Sequence, residues 1–376
     1  MRLLSFFEKR SLRELCKVGC AERAVLSLNE QRCMVMLTDP NEIKGSIGVG
    51  ESQALDDSFA EALSQRSPVI FIIDSAGARI TDGLRGLSAF TRMFRSALDY
   101  RIAGLPLISV VDGNCFGGAS VMAALSGVLT ASDTSRIALS GPRILKNADI
   151  PNVSVRDTAT DSISLIISAR ERHGNELCSI FEAGASRVEL LENLLVTYPR
   201  KARSIEGWRE NLLSRLVSHV GKYKTLDAMN SSLTFGSGGP VGSVECFQLA
   251  EWLSKQRMEG EINIVVDCDG QKVSIEEEQL FLSEYIAYLA VILRQKVKEG
   301  LYVKVTITGS ISGAIYVALA AAANRVVARP NAHIRVLPDS STRKVLNSQQ
   351  QVESLELAKE FGIVDAIESA WKCRKK

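Results

Sequence analysis

The feature that most constrains this chain is that it matches itself. "GSIGVGESQALDDSFAEAL" from Gly45 aligns with "GPVGSVECFQLAEWL" from Gly239, placing Gly48 on Gly242 and Glu51 on Glu245 at a separation of 194 residues. "VIFIIDSAGARI" aligns with "NIVVDCDGQKV", Asp74 on Asp267 and Gly77 on Gly270, at 193. "GLPLISVVDGNCFGGASVMAALS" aligns with "GLYVKVTITGSISGAIYVALAAA", Gly104 on Gly300 and Gly113 on Gly309, at 196. "SRIALSGP" then meets "AHIRVLP", Ile137 on Ile334, at 197. Four blocks in one order at near-constant spacing mark a tandem duplication. The 376 residues leave ample core for two like units.

Each copy carries the same physical pattern. A helical segment (54–65; 245–256) precedes an apolar β-run that ends in Asp and Gly. A second helix follows (87–100; 277–298), then another β-run, a glycine turn and a helix of small residues. Strands alternating with helices predict parallel βαβ units around sheets buried on both faces. The domains expected are 1–190 and 239–376, with a linker region at 191–238. The stretch between the copies, roughly 150–237, is polar and punctuated, with "ASRVELLENLLVTY" reading as a helix, and "FGSGGP" (235–240) has the glycines of a linker.

The uncharged run 305–323 has the length of a membrane span. Its first part is β-branched and alternating, and Gly309 and Gly313 interrupt it, so a strand plus a buried helix is expected. Net charge is +2, from 45 basic and 43 acidic residues, which gives no reason to expect nucleic acid or an anionic membrane as partner. The basic end "WKCRKK" reads as a solvated tail. Eight cysteines form no CxxC pair and several lie in apolar runs, as reduced core thiols do. The amino terminus turns charged too soon for a secretory signal, so a cytoplasmic protein is expected.

In each copy two strand ends are stripped of side chains: Ala76-Gly77 with Gly117-Gly118, and Asp269-Gly270 with Ser312-Gly313. Carboxyl ends of parallel strands share the edge where ligands bind. Backbone N–H groups from two such turns can converge on one oxygen as an oxyanion hole, helped by the helix that opens at Gly118. The glycines equally allow tight turns and close helix packing. "GxGxxG" and "GKS" are absent, so nothing points to a nucleotide-phosphate loop.

"FIIDSAGARI" and "SVVDGNCFGGASVMAALS" with "SRIALSGP" resemble the carboxyltransferase branch of the crotonase superfamily, and within it the β subunit of biotin-independent malonate decarboxylase. "IVVDCDGQ" with "ITGSISGAIYVALAAAANRVVARPNAHIRVLP" resembles the γ subunit. The chain thus resembles a β–γ fusion over about 45–142 and 239–338, and the resemblance implies two crotonase-like ββα superhelical units. Two departures stand out. Ala76 replaces a glycine in the first turn, and Cys268-Asp269 replaces Thr-Pro in the second. A buried Asp269 would repel an anion there.

The resemblance implies an acyl thioester substrate on coenzyme A or an acyl carrier protein, no metal, no biotin, and a homo-oligomer. A malonyl thioester would lose carbon dioxide as N–H groups at Ala76 or Gly77 and Gly117 or Gly118 hold the enolate oxygen. Asn114 can polarise a carbonyl or close a turn. Cys115 invites a nucleophile reading, although none of His173, His219 and His333 lies near it in sequence. Arg79 can meet a carboxylate or phosphate, or pair at the surface, and Ser75 can cap the turn. Ser75, Arg79, Gly270, Gln271, Ser312 and Gly313 are the candidate substrate contacts. The alternatives are a biotin-dependent carboxyltransferase using both holes, an acyltransferase or hydrolase, and a non-catalytic partner of an acyl carrier protein.

Overall fold

The computed structural model describes residues 2–7, 12–146, 162–182, 184–221, 231–257, 259–338 and 353–368. The basic tail 371–376 and Cys373 lie outside the described residues. The first copy builds an eight-stranded sheet. An antiparallel meander of β1 (Arg13–Val18), β2 (Ala21–Leu28) and β3 (Gln31–Thr38) leads into parallel β4 (Val69–Ser75), β5 (Leu107–Phe116), β6 (Val128–Ser132) and β8 (Ser179–Phe181). β7 (Arg136–Ala138) pairs with the far end of β5 at Asn114–Phe116. The second copy repeats the plan with β9 (Ser232–Phe235), β10 (Glu261–Val266), β11 (Tyr302–Ile307), β13 (Arg325–Ala328) and β15 (Ala366–Ile367), and a separate pair β12 (Ser310–Ser312) and β14 (His333–Arg335). What is one bent strand in the first copy is therefore two strands in the second, broken before Ser310.

The bend has the same cause in both copies. Asp74 at the end of β4 turns its Oδ1 onto the Asn114 N–H at 3.0 Å, and Asp267 after β10 does the same to the Ser310 N–H at 3.0 Å. A Cβ at Gly113 would lie 2.4 Å from the Asp74 carboxylate, and one at Gly309 2.0 Å from that of Asp267. Only glycine lets the carboxylate reach the backbone there.

Helices cover the sheets. α1 (Arg2–Phe6) is a short cap, and α2 (Val49–Ser64) and α3 (Gly83–Ile102) lie on the first copy. α4 (Gly118–Ala124) and α5 (Ala169–Gly174) follow, and α6 (Arg187–Lys201) and α7 (Ile205–Val220) occupy the stretch between the repeats. The second copy has α8 (Ser243–Ser254), α9 (Ile275–Gln279), α10 (Leu282–Lys298), α11 (Gly313–Ala322) and α12 (Leu355–Glu360). α2 and α8 open alike: the glutamate in the first turn returns to the N-cap amide, Glu51 to Gly48 at 3.1 Å and Glu245 to Gly242 at 2.9 Å. The pattern read as one helix at 277–298 is two, because Phe281 is left-handed (φ 61°). Its ring lies under the guanidiniums of Arg172 and Arg215, each 4.9 Å away.

The described residues of the region expected to link the copies, 191–221 and 231–238, are structured. Leu191, Leu194 and Tyr198 of α6 are buried with β2 and β3, whereas Trp208, Leu212 and Leu216 of α7 join the core of the second copy. "FGSGGP" is the connection from β9 to α8, tied down by the Gly238 N–H on Asp267 O at 2.8 Å. The copies share one apolar core running from Met34 through Phe94 to Leu293 and Val305. Ion pairs lock it from the sides: Arg294 clasps Asp99 with two 2.8 Å hydrogen bonds. Buried Glu284 accepts from Arg172 at 2.9 Å, Arg203 at 2.7 Å and the Trp208 indole at 3.1 Å. The run 305–323 folds as part of β11, β12 and α11, and among the described residues no helix is long and apolar enough to cross a membrane.

Candidate active site

The two glycine turns of the first copy touch, because Ser75 at the end of β4 is in register with Cys115 near the end of β5. Gly77 (φ 94°) and Gly117 (φ 57°) both take backbone conformations that favour glycine. A Cβ at Gly77 would lie 2.6 Å from Phe116 O and 3.4 Å from the Gly117 Cα, so the turns meet backbone to backbone.

Three of the four N–H groups expected to hold an oxyanion are spent inside the protein. Ala76 donates to Lys44 O at 3.0 Å, Gly77 to Ser75 Oγ at 3.0 Å, and Gly117 to both Ala138 O and Leu139 O at 3.1 Å. Gly118 differs. It is the first residue of α4, its N–H has no helical partner, and none of the described residues accepts from it. Another donor that finds no acceptor among the described residues belongs to Ala78, one residue beyond the expected turn. The bridge between Ile47 and Ala78 uses Gly77 O and the Arg79 N–H and leaves the Ala78 N–H unused. Sequence reasoning missed Ala78 because that partition is set by Ile47, 31 positions away in sequence. At Gly118 the carbonyl of the same peptide, Gly117 O, accepts from the Ser120 N–H at 3.0 Å and Oγ at 2.7 Å, which polarises the Gly118 N–H.

The side chains named beside this turn are structural. Ser75 Oγ donates to Gly45 O at 2.6 Å and is fully buried. Arg79 is turned away from the hole, its Nη2 on Ser46 O at 2.8 Å and on Glu51 of the α2 capping turn, so it is committed to an internal ion pair. Cys115 is fully buried, and desolvation pushes its thiol up to about 12, so it is no thiolate near neutral pH. His173 is held on Cys178 O at 3.0 Å. Asn114 gives its backbone N–H to Asp74.

The second copy repeats the geometry with another outcome. β12 and β14 superpose their register on β5 and β7, so Gly313 (φ 57°) takes the place of Gly117, Ala314 that of Gly118, and Ser312 that of Phe116. Gly270 (φ 106°) stands for Gly77, and Gln271 for Ala78. Here the N–H in the place of Gly118 is taken: Ala314, the second residue of α11, donates to Gln271 Oε1 at 3.2 Å, and the same side chain fills the space above Gly313. Ser312 Oγ donates to Asp269 O at 2.7 Å. Asp269 is half-buried rather than buried, and Arg335 Nη1 stands 3.6 Å from its Oδ1, so the repulsion expected of a lone buried carboxylate is offset. A cleft of about 630 Å³ lined in part by Arg203, Trp208, Asn211 and Arg215 shares no residue with either turn.

Comparisons with known proteins divide the chain as the repeat does. Residues 28–161 match the family described as carboxyl transferase domain, and residues 237–366 the family described as malonate decarboxylase gamma subunit. The biotin-dependent acetyl-/propionyl-coenzyme A carboxylase beta6 subunit of Mycobacterium tuberculosis is 31% identical over 151 residues, 39% of this chain and 31% of that protein. The methylmalonyl-CoA carboxyltransferase 12S subunit of Propionibacterium freudenreichii is 29% identical over 125 residues, 33% of this chain and 24% of that protein. The chain thus spans under a third of the length of these curated relatives. Among solved structures, a Pseudomonas malonate decarboxylase hetero-tetramer in complex with malonate has a TM-score of 0.50 at 18% identity, covering 60% of this chain and 90% of its own. That likeness is one of fold.

Proposed function

Because the chain joins a carboxyl transferase domain to a domain of the malonate decarboxylase gamma subunit family, we propose that it is an enzyme of the carboxyl-transfer and decarboxylation type whose reaction is loss of carbon dioxide from a malonyl thioester. The observation that carries this choice is the asymmetry of the two turns. The first offers the Ala78 and Gly118 N–H groups, neither with an acceptor among the described residues, whereas in the second Gln271 sits on the donor equivalent to Gly118. Carboxyl transfer through biotin calls for a second polar site for the ureido oxygen. Decarboxylation needs one.

The thioester carbonyl docks against Ala78 N–H and Gly118 N–H at the start of α4. The bond from the methylene carbon to the carboxylate breaks, its electron pair passes into the enolate, and the negative charge collects on the thioester oxygen. Donors fixed in advance lower that barrier, each by about 3–4 kcal/mol, because they pay no reorganisation when the charge forms. Water returns a proton to the methylene carbon, giving the acetyl thioester. The scheme calls for neither a metal nor biotin, and the acyl group is carried on coenzyme A or an acyl carrier protein. A homo-oligomer is the working form expected under this reading.

Intact mass spectrometry of malonyl-loaded acyl carrier protein, and of malonyl-CoA, incubated with the protein without ATP or biotin tests this. Loss of one carbon dioxide supports it. Loss of the whole malonyl group points to transfer or hydrolysis, and an unchanged mass on both carriers overturns it.

A further inference from the structure

We infer that Glu278 is a positioning residue for the oxyanion turn of the first copy, although it belongs to the second. It sits in α9, buried, and reaches across the join between the copies: Oε1 accepts from the Ser140 N–H at 2.6 Å and Oε2 from the Leu139 N–H at 3.1 Å. The carbonyls on the other side of those same two peptides, Ala138 O and Leu139 O, are the pair that accept the Gly117 N–H at 3.1 Å. A carboxylate on the N–H of a peptide makes its C=O a stronger acceptor. Two such peptides, both anchored on one carboxylate, therefore grip Gly117 in its left-handed conformation. Gly117 in turn aims the neighbouring Gly118 N–H.

This gives the second copy a task in a protein whose second hole is closed. The left-handed Phe281 bears on this: it separates α9, which ends at Gln279 one residue after Glu278, from α10, which begins at Leu282. Of the charged groups around Glu278, Arg172 of α5 favours the ionised form. Its neighbour Glu277 faces away, onto the Ser243 N–H and Oγ at 2.9 and 2.7 Å, and Glu284 of α10 is taken up by Arg172 and Arg203. Burial outweighs these aids and raises the Glu278 carboxyl to about 7. Protonation near neutral pH therefore loosens the grip on Gly117.

The inference rests on the first turn being the reaction site, and its primary test does not use activity. The amide resonances of Gly117 and Gly118 in the isotope-labelled full chain are followed from pH 5.5 to 8.5. A titration with a midpoint near 7 that vanishes in Glu278→Gln is expected. Resonances that do not move in the wild-type protein overturn the inference whether or not the variant folds. If the protein decarboxylates a malonyl thioester, Glu278→Gln lowers kcat at pH 8 by about tenfold or more, at a KM within about twofold of wild type. Unchanged kcat in a folded variant overturns it. A protein with no such activity but with the titration keeps Glu278 in this role and removes only the proposed reaction.

Discussion

Replacing Gly118 separates the donor from the shape of the turn. A Cβ at this position would lie 2.7 Å from the Phe90 Cζ and 3.0 Å from Cε1, and Phe90 is buried in the shared core. Gly118→Ala therefore forces the ring to shift, at a cost to stability of about 1–3 kcal/mol, but keeps the N–H. Gly118→Pro meets the same ring and deletes the N–H. As the first residue of α4, position 118 makes no intrahelical hydrogen bond, and proline is well accommodated there. The difference between the two variants is thus the donor itself. Loss of one such donor is worth about 3–4 kcal/mol at the transition state, which at about 1.4 kcal/mol per factor of ten is 10²- to 10³-fold in kcat. Turnover of malonyl-acyl carrier protein is measured for both, with melting curves to show that each is folded. Alanine is expected to retain most of the activity and proline almost none. Equal kcat in two folded variants would refute the assignment of Gly118.

Three further outcomes follow from the same geometry. Glu284→Ala leaves the buried Arg172 and the half-buried Arg203 without their carboxylate, and urea unfolding should show a loss of about 3–5 kcal/mol; a loss under 1 kcal/mol would mean that water enters and solvates them. Gln271→Ala uncovers the Ala314 N–H, so ligand-observed NMR should detect weak binding of a cyclic urea such as 2-imidazolidinone to the variant and none to the wild type, with decarboxylation unchanged within about threefold; equal binding to both would show that Gln271 blocks nothing. The Glu278 carboxyl, raised to about 7 from 4.5, contributes stability that is fully present below 4.5 and lost as pH rises through 7. Relative to Glu278→Gln, the wild-type protein should lose about 3 kcal/mol between pH 4.5 and 8 in denaturant titrations, and a difference that does not change with pH would contradict the raised value.

Much of the fold was legible because a duplicated chain states its pattern twice. Asp74 with Gly113 and Asp267 with Gly309 recur because each carboxylate occupies the space of a side chain, a local rule that leaves a mark in sequence. The helix-opening glutamates Glu51 and Glu245 are local in the same sense. The helix pattern at 277–298 was misleading at its start, since nothing in its periodicity announces a left-handed Phe281 stabilised by arginines from α5 and α7. The glycines at 235–240 suggested a linker for the opposite reason: the positive φ of Gly236 and Gly238 serves a turn pinned to Asp267, and flexibility and strain draw on the same residue type.

By itself the sequence determined that there are two like α/β units and where their strands end in bare turns. Those are properties of short segments, governed by apolar periodicity and by the steric freedom of glycine. Only the tertiary structure decided which N–H groups remain unengaged. Each of these backbone donors is claimed or spared by the fold: Lys44 takes Ala76, Ala138 and Leu139 take Gly117, Gln271 takes Ala314, and none of the described residues takes Ala78 or Gly118. The same holds for Glu278, separated from its partners by 138 and 139 positions in sequence and bonded to them in space. Hydrogen bonds are directional and short, so no local pattern of residues can say which of two adjacent amides will point at a ligand.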